Sequence, residues 1–192
     1  MVGLREEGAD LMGYGDEIMA SSIAKRLHAM TNERVNILDA QGTVRSSELW
    51  NGLDYIDQEF GDAKAFIVNG PGARHYYSGM DGNRILWRKW DIAPGEIRLT
   101  EKERISTEQM GISPPYLVIE PKFKASGGGG VNKDWGIKNW RKAAREIGKF
   151  IPLVEVSDPR LLGGIDNVYQ RSGGPFRHAC AILERSIGYV GH

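Results

Sequence analysis

Cysteine, net charge and long apolar runs are all scarce in this sequence, and each shortage excludes a class of protein. Cys180 is the single cysteine among 192 residues, so no disulfide can form within the chain, as is typical of a reducing cytoplasm. Lys and Arg total 25, and Asp and Glu also total 25. This balance argues against a protein that binds nucleic acid through bulk charge.

Signals for membrane insertion and export are missing as well. No apolar run approaches the roughly 20 residues that a membrane-spanning helix needs. The chain begins Met-Val-Gly-Leu-Arg-Glu-Glu, which is acidic where a secretory signal is basic and then apolar. We therefore expect a cytoplasmic protein with no transmembrane segment and no nucleic-acid partner.

Motifs for metals and common nucleotide cofactors are also absent. The four histidines and the single cysteine lack metal-ligand spacing, and no Asp-x-Asp pair occurs. Gly13 and Gly15 suggest a dinucleotide-binding motif, but Ile18 stands where its third glycine belongs. Lys133 follows a glycine run, yet Asp134 stands where a P-loop has Ser or Thr. We expect no metal, no cofactor, and neither hydride transfer nor nucleoside triphosphate hydrolysis.

Glycine, by contrast, is abundant. The chain has 25 glycines, about twice the usual ~7 %. They cluster at positions 13 and 15, 70 and 72, 127–130, and 163–164. Short glycine clusters between apolar runs mark tight turns where the backbone passes close to a neighbour. In an α/β protein that neighbour is often a phosphate or a sugar.

Apolar spacing predicts alternating helices and strands in the first half of the chain. A helix is predicted from Asp16 onward, because apolar side chains recur on one side at positions 18, 19, 23 and 27. Before it, residues 9–12 form a short apolar segment that reads as a strand. Further strands are predicted at 35–38 and 64–68, while residues 47–50 are too few to assign. This order indicates a parallel α/β sheet.

The clearest boundary lies at residues 111–115, where Pro114 and Pro115 block helix and sheet alike. We predict two domains, residues 1–111 and 112–192. In the second domain we predict strands at 116–119, 151–156 and 187–190. Two helices separate them, one with an apolar stripe through Trp140 and one with an apolar stripe through Cys180. We expect Cys180 to lie in the core. Three strands are few for a doubly wound domain, so we expect the N-terminal part of a longer protein.

Aromatic and basic side chains alternate between residues 74 and 90. One interpretation is a surface that stacks on sugar or base rings. The other is an irregular surface segment whose aromatics pack on the core and whose arginines lie over them. The sequence leaves both interpretations open.

Asp16 is the first candidate functional residue. It follows Gly13 and Gly15 at the point where a predicted strand meets a helix, and ligands of open α/β sheets bind at the carboxyl ends of strands. A carboxylate placed there can take a proton from a hydroxyl group. The same position also fits a helix N-cap, so both roles stay open.

Lys122 and Lys133 flank the loop that follows the strand at 116–119. Two amines beside a glycine-rich loop can bind a diphosphate and neutralise charge on a leaving group. Each lysine can equally be a solvated loop residue.

The two loops together resemble glycosyltransferase family 9, the heptosyltransferase-like enzymes of bacterial envelope synthesis. The resemblance rests on Gly15-Asp16 before a helix and, over a hundred residues later, on a strand, a basic loop and Asn132-Lys133-Asp134-Trp135. It implies a GT-B fold of two Rossmann-like lobes, with the second lobe incomplete at its C-terminus. Glu120-Pro121-Lys122 replaces the family's usual His-Pro-Gly turn, which leaves the identity of the donor open.

The resemblance implies an inverting, metal-independent transfer from a nucleotide-sugar donor to a glycan or lipid-linked acceptor. Asp16 is then the general base, with Gly13 and Gly15 in the acceptor-side loop, and Lys122 and Lys133 bind the donor phosphates. A fragment that ends at residue 192 is expected to be inactive alone. The competing hypothesis is a non-catalytic sugar- or nucleotide-binding module on the same scaffold.

Overall fold

The structure is a computed structural model that describes residues 13–59, 61, 63–68, 77–82, 84–87, 93–109, 111–122, 135–157, 161–171 and 174–191. These residues form an α/β protein with two parallel sheets, as the sequence predicts. The chain divides into two compact units, Met1–Arg98 and Leu99–His192. None of the described helices is both long and apolar enough to cross a membrane.

The first unit contains a three-stranded parallel sheet. Its elements are α1 (Tyr14–Thr31), β1 (Val35–Leu38), a 3₁₀ helix (Glu48–Trp50), β2 (Ile56–Asp57), β3 (Ala65–Val68), β4 (Tyr77–Asp81) and β5 (Arg84–Trp87). The strand order is β2-β1-β3, and Val35 lies opposite both Ile56 and Ala65. The strands predicted at 35–38 and 64–68 are confirmed to within one residue. The apolar segment at 9–12 lies outside the described residues.

Helix α1 begins two residues before its predicted start at Asp16. Gly13 is the N-cap, and its carbonyl accepts the backbone N–H of Asp16 at 2.9 Å. The most buried side of the helix carries Ala20 and Ala24, not the larger apolar residues at 18, 19, 23 and 27, which are only half-buried. Small side chains on the buried side of α1 allow the helix to lie close to the strands.

A β-hairpin of β4 and β5 occupies part of the segment that the sequence leaves irregular. The strands pair antiparallel, with Asp81 opposite Arg84. Gly82 adopts a left-handed backbone with φ 56°, which a tight hairpin turn requires. Between the paired residues the sequence has Gly-Asn at 82–83, a two-residue hairpin signal that apolar spacing does not register. Arg74 and Trp90 lie outside the described residues, so both interpretations of the aromatic and basic segment stay open.

The second unit contains a four-stranded parallel sheet. Its elements are α2 (Glu101–Glu108), β6 (Leu117–Ile119), α3 (Ile137–Ile147), β7 (Leu153–Glu155), β8 (Val168–Gln170), α4 (Phe176–Arg185) and β9 (Gly188–Val190). The strand order is β8-β7-β6-β9, so the prediction of three strands is wrong. Apolar spacing does not predict strand β8, because its three residues are partly exposed and form no apolar run.

Residues of β6 alternate between two apolar cores, one on each face of this sheet. Ile119 packs with Trp140 of α3, whereas Val118 packs with Ile182 of α4. The sheet is therefore doubly wound, and its strand order reverses between β6 and β9. Ligands of such sheets bind in the crevice at the carboxyl ends of the strands on either side of the reversal.

The boundary between the units falls after Arg98, earlier than the predicted boundary after residue 111. The reason is α2, which packs against α4. Arg104 of α2 donates to Glu184 of α4 at 2.8 Å. The segment of residues 99–111 therefore belongs with the strands that follow the two prolines.

Helix α4 turns a different side toward the core than its apolar spacing predicts. Its buried residues are Arg177, Ala181 and Ile182, while Cys180 is only half-buried. The expectation that Cys180 belongs to the core is therefore wrong, because Ile182 is the residue of α4 that packs into the core beside Val118. Arg177 is buried in an ion pair with Glu103 of α2 at 2.6 Å.

Candidate functional site

Asp16 lies half-buried in the first turn of α1. It is a first-turn acid, whose carboxylate interacts favourably with the N–H groups of the helix start, and not the N-cap. Gly13 and Gly15 beside it are exposed. No described heavy atom lies within 4 Å of the position that a Cβ would take at either glycine. Among the described residues, none therefore crowds the backbone beside Asp16.

Glu17, the next residue, is buried and ties α1 to the chain that follows β1. Its carboxylate accepts a hydrogen bond from the Ser47 hydroxyl at 2.5 Å and lies 3.7 Å from the Arg45 guanidinium. The indole N–H of Trp50 donates to the Glu17 carbonyl at 3.0 Å. These bonds offset the cost of burying a carboxylate. They also hold the first turn of α1 near the carboxyl end of β1.

An open polar cleft of about 450 Å³ lies beside these residues, and we call it the α1 cleft. Its described lining consists of Glu17, Ser46, Ser47, Glu48, Asn51 and Gln58. The Tyr14 hydroxyl donates to Glu48 at 2.8 Å. The Gln58 side chain accepts from the Ser47 backbone N–H at 2.7 Å and donates to the Asn51 amide oxygen at 3.2 Å. Glu48, Asn51 and Gln58 are therefore held in place without a ligand.

The sequence points to Asp16 but not to the α1 cleft. Residues 47–50 are too few to assign from apolar spacing, and Ser47 and Trp50 meet Glu17 only through the tertiary fold. One local signal exists, because Ser47 caps the 3₁₀ helix by accepting the Leu49 N–H at 3.2 Å. Serine is favoured at such starts, but capping alone does not indicate a cleft.

Lys122 lies just past the carboxyl end of β6, at the crevice between β6 and β9. Its side chain is exposed, and its backbone N–H donates to the Glu120 carboxylate at 3.0 Å. The Glu120 N–H donates to the Val190 carbonyl of β9 at 2.9 Å. Burial, and then the charge of Glu120, raise the pKa of the Tyr189 hydroxyl. This edge of the sheet thus combines an ammonium, a carboxylate and a phenol.

The predicted site residues are divided between the units. Asp16 belongs to the first unit and Lys122 to the second. Lys133 and the glycine run at 127–130 lie outside the described residues, so the pairing of Lys133 with Lys122 stays a prediction. Within the described ranges, no three His, Cys, Asp or Glu side chains gather as metal ligands would.

No protein-family model, curated protein or solved structure matches the chain. The resemblance to glycosyltransferase family 9 therefore rests on the residues quoted for it.

Proposed function

We propose that this chain is a glycosyltransferase that moves a sugar from a nucleotide-sugar donor to a hydroxyl group of a glycan or lipid-linked acceptor, with inversion and without a metal. The observation that carries the proposal is the position of Asp16, half-buried in the first turn of α1 beside Gly13 and Gly15, whose backbone no described atom crowds. A carboxylate at the carboxyl edge of an α/β sheet can meet an incoming hydroxyl group.

In this reaction Asp16 is the general base. Its carboxylate accepts the proton of the acceptor hydroxyl while the hydroxyl oxygen forms a bond to the anomeric carbon of the donor sugar. The bond from that carbon to the diphosphate oxygen breaks, and the nucleoside diphosphate leaves with the electron pair. A single displacement of this kind inverts the configuration at the anomeric carbon.

The second unit supports the donor side of the proposal. Its sheet reverses strand order between β6 and β9, and the exposed side chain of Lys122 follows β6 directly. A lysine ammonium stabilises the negative charge that develops on a departing diphosphate. We assign the same role to Lys133 from its position in the sequence.

A non-catalytic sugar- or nucleotide-binding module is the second candidate. The first-turn position of Asp16 favours it, because an acid there stabilises the helix without taking part in any chemistry. The two candidates differ in whether the Asp16 carboxylate is needed for turnover or only for the fold.

The variant Asp16→Asn in the native full-length protein distinguishes a glycosyltransferase from a binding module. The assay follows release of nucleoside diphosphate from a panel of uridine, guanosine and adenosine diphosphate sugars in the presence of acceptor extract. We expect release to fall about 100-fold or more, because an amide cannot take the proton, while calorimetry shows that the donor still binds.

Glu101→Gln is the matched control, since Glu101 is a first-turn acid of α2 and has no role in the proposed reaction. Its turnover should stay near that of the unmodified protein. Undiminished release in Asp16→Asn would remove Asp16 as the base. Donor binding without release in the unmodified protein would identify a binding module.

A further inference from the structure

We infer that the indole ring of Trp135 stacks on the nucleobase of the donor in the second unit. The inference rests on the proposed function and deepens it, because it assigns a residue to the base. The proposed roles of Lys122 and Lys133 concern only the diphosphate of the same ligand.

Trp135 lies at the carboxyl edge of the second sheet, where α3 begins. Trp140, in the first turn of α3, shares a core with Ile119, the last residue of β6. At the other end of the helix, the side-chain amide of Asn167 donates to the Gly148 carbonyl at 3.0 Å, and Asn167 immediately precedes β8. Helix α3 therefore runs from the carboxyl edge of the sheet to its amino edge. Its start lies on the edge at which doubly wound sheets bind ligands.

The same edge carries Lys122, which follows the end of β6 with an exposed side chain. The proposed diphosphate contact and Trp135 thus belong to one end of one strand. A nucleoside diphosphate has its base at one end and its diphosphate at the other, so it offers a partner to each of these side chains.

The Trp135 ring has a face that a ligand can reach. Its side chain is 51 % exposed, whereas Trp140 is 4 % exposed. The centres of the two indole rings are 5.1 Å apart and the ring planes meet at 86°, so the edge of one ring meets the face of the other. In this arrangement Trp140 covers at most one face of Trp135. With half of the side chain exposed, the other face is available to a second planar ring.

Contacts within the protein hold Trp135 in place before any ligand binds. The Asn139 side chain donates to the Trp135 carbonyl at 2.6 Å, and the contact with buried Trp140 restrains the ring. A side chain that is already ordered loses little conformational entropy on binding. Most of the stacking energy is therefore retained as affinity.

A base suits this position better than a sugar does. Ile137 is 41 % exposed and adds a second exposed apolar side chain at the start of α3. A nucleobase presents a flat π face, which an aromatic side chain covers directly. The hydroxyl groups of a sugar need hydrogen-bond donors and acceptors, which an isoleucine and the face of an indole do not supply.

Indole NMR of the ¹⁵N-labelled native full-length protein tests the inference. The chain has five tryptophans, and the resonance that disappears in Trp135→Phe identifies the Nε1–H of Trp135. At least one of uridine, guanosine and adenosine diphosphate is expected to shift this resonance through the ring current of its base, whereas inorganic pyrophosphate leaves it in place. The inference is overturned if no nucleoside diphosphate shifts it, if pyrophosphate shifts it equally, or if glucose shifts it and the nucleotides do not.

Calorimetry measures what the ring contributes to affinity. Trp135→Ala should weaken binding of that nucleoside diphosphate roughly tenfold or more and leave the affinity for pyrophosphate unchanged. Trp135→Phe should retain most of the affinity, because it keeps an aromatic face. Phe150→Ala is the matched control, since Phe150 is an aromatic residue 88 % exposed beyond the opposite end of α3, and it should bind as the unmodified protein does.

Equal losses of affinity for pyrophosphate and the nucleoside diphosphate in Trp135→Ala would overturn the inference, because the ring would then act only through the fold. Neither measurement depends on turnover. Base stacking without release of nucleoside diphosphate would contradict the glycosyltransferase and leave the inference standing. Release that depends on Asp16, together with an unchanged nucleotide affinity in Trp135→Ala, would overturn the inference alone.

Discussion

Arg177 on α4 and Glu103 on α2 form a bidentate ion pair, with guanidinium nitrogens 2.6 and 3.0 Å from the two carboxylate oxygens. The Arg177 side chain is only 6 % exposed. Glu103 also accepts hydrogen bonds from the backbone N–H and the hydroxyl of Thr100, at 2.6 and 2.9 Å, within the capping box of α2. The Glu103 carboxylate thus both caps the N-terminus of α2 and links α2 to α4 through the ion pair.

Glu103→Gln should therefore destabilise the second unit. We expect the free energy of unfolding to fall by about 1.5–3 kcal/mol, the range for losing hydrogen bonds to a charged partner. Urea denaturation measures the loss. Glu184→Gln is the matched control, because its ion pair with Arg104 is 42 % exposed on both sides and such pairs contribute about 0–1 kcal/mol. Equal losses in both variants would contradict the prediction.

The same pair predicts a pH dependence of stability. Hydrogen bonding to Arg177 holds the pKa of Glu103 at about 2, below its ordinary value of 4.5. Since the folded pKa is the lower one, the pair stabilises the fold fully above pH 4.5 and progressively less as the pH falls toward 2.

We expect the free energy of unfolding to fall more steeply across this window in the unmodified protein than in Glu103→Gln. Urea titrations at several pH values measure both slopes. The other carboxyl groups are common to the two proteins and cancel in the comparison. Parallel slopes would mean that Glu103 does not carry the dependence.

Glu155 at the end of β7 is fully buried and organises the chain that follows. Its carboxylate accepts from the Ser157 hydroxyl at 2.6 Å and from the Gln170 amide at 2.8 Å. It also accepts the backbone N–H groups of Leu161 at 2.6 Å and Leu162 at 3.1 Å. These groups lose their partner when the carboxylate is removed, and each buried group left unpaired costs about 1–3 kcal/mol.

We expect Glu155→Ala to lower the free energy of unfolding by at least ~3 kcal/mol and to speed hydrogen exchange at the amides of Leu161 and Leu162. Glu146→Ala serves as the control, because Glu146 is exposed and forms an ion pair with Lys149 three residues later. A loss in Glu155→Ala no larger than the control's would show that the buried carboxylate is dispensable.

Lys133→Ala and Lys122→Ala should each weaken binding of a nucleoside diphosphate. Loss of one charge-assisted contact to phosphate corresponds to a tenfold to hundredfold fall in affinity, or about 1.5–3 kcal/mol. Calorimetry with uridine, guanosine and adenosine diphosphates measures the affinity. Added EDTA should leave the affinity unchanged. Lys149→Ala, exposed beyond the end of α3, should bind as the unmodified protein does. Unchanged affinity would remove either lysine from the donor site.

Local spacing in the sequence determined most of the helices and strands. Trp140 and Ala144 recur at the interval that buries one side of α3, and both are buried. Residues 35–38 form β1 as predicted, because a short apolar run followed by a turn needs no distant partner to be recognised. Asp16 is accessible to the same reasoning, since its signal is Gly13 and Gly15 just before it, although Gly15 itself lies within α1.

Tertiary structure alone decided which polar groups are buried and what they meet. Glu17 is buried where Ser47 and Arg45 reach it from beyond β1. Arg177 of α4 is buried where it meets Glu103 of α2. A buried charge is stable only when a partner arrives through space. No local window of sequence contains that partner, so the α1 cleft and the inward side of α4 are properties of the folded chain.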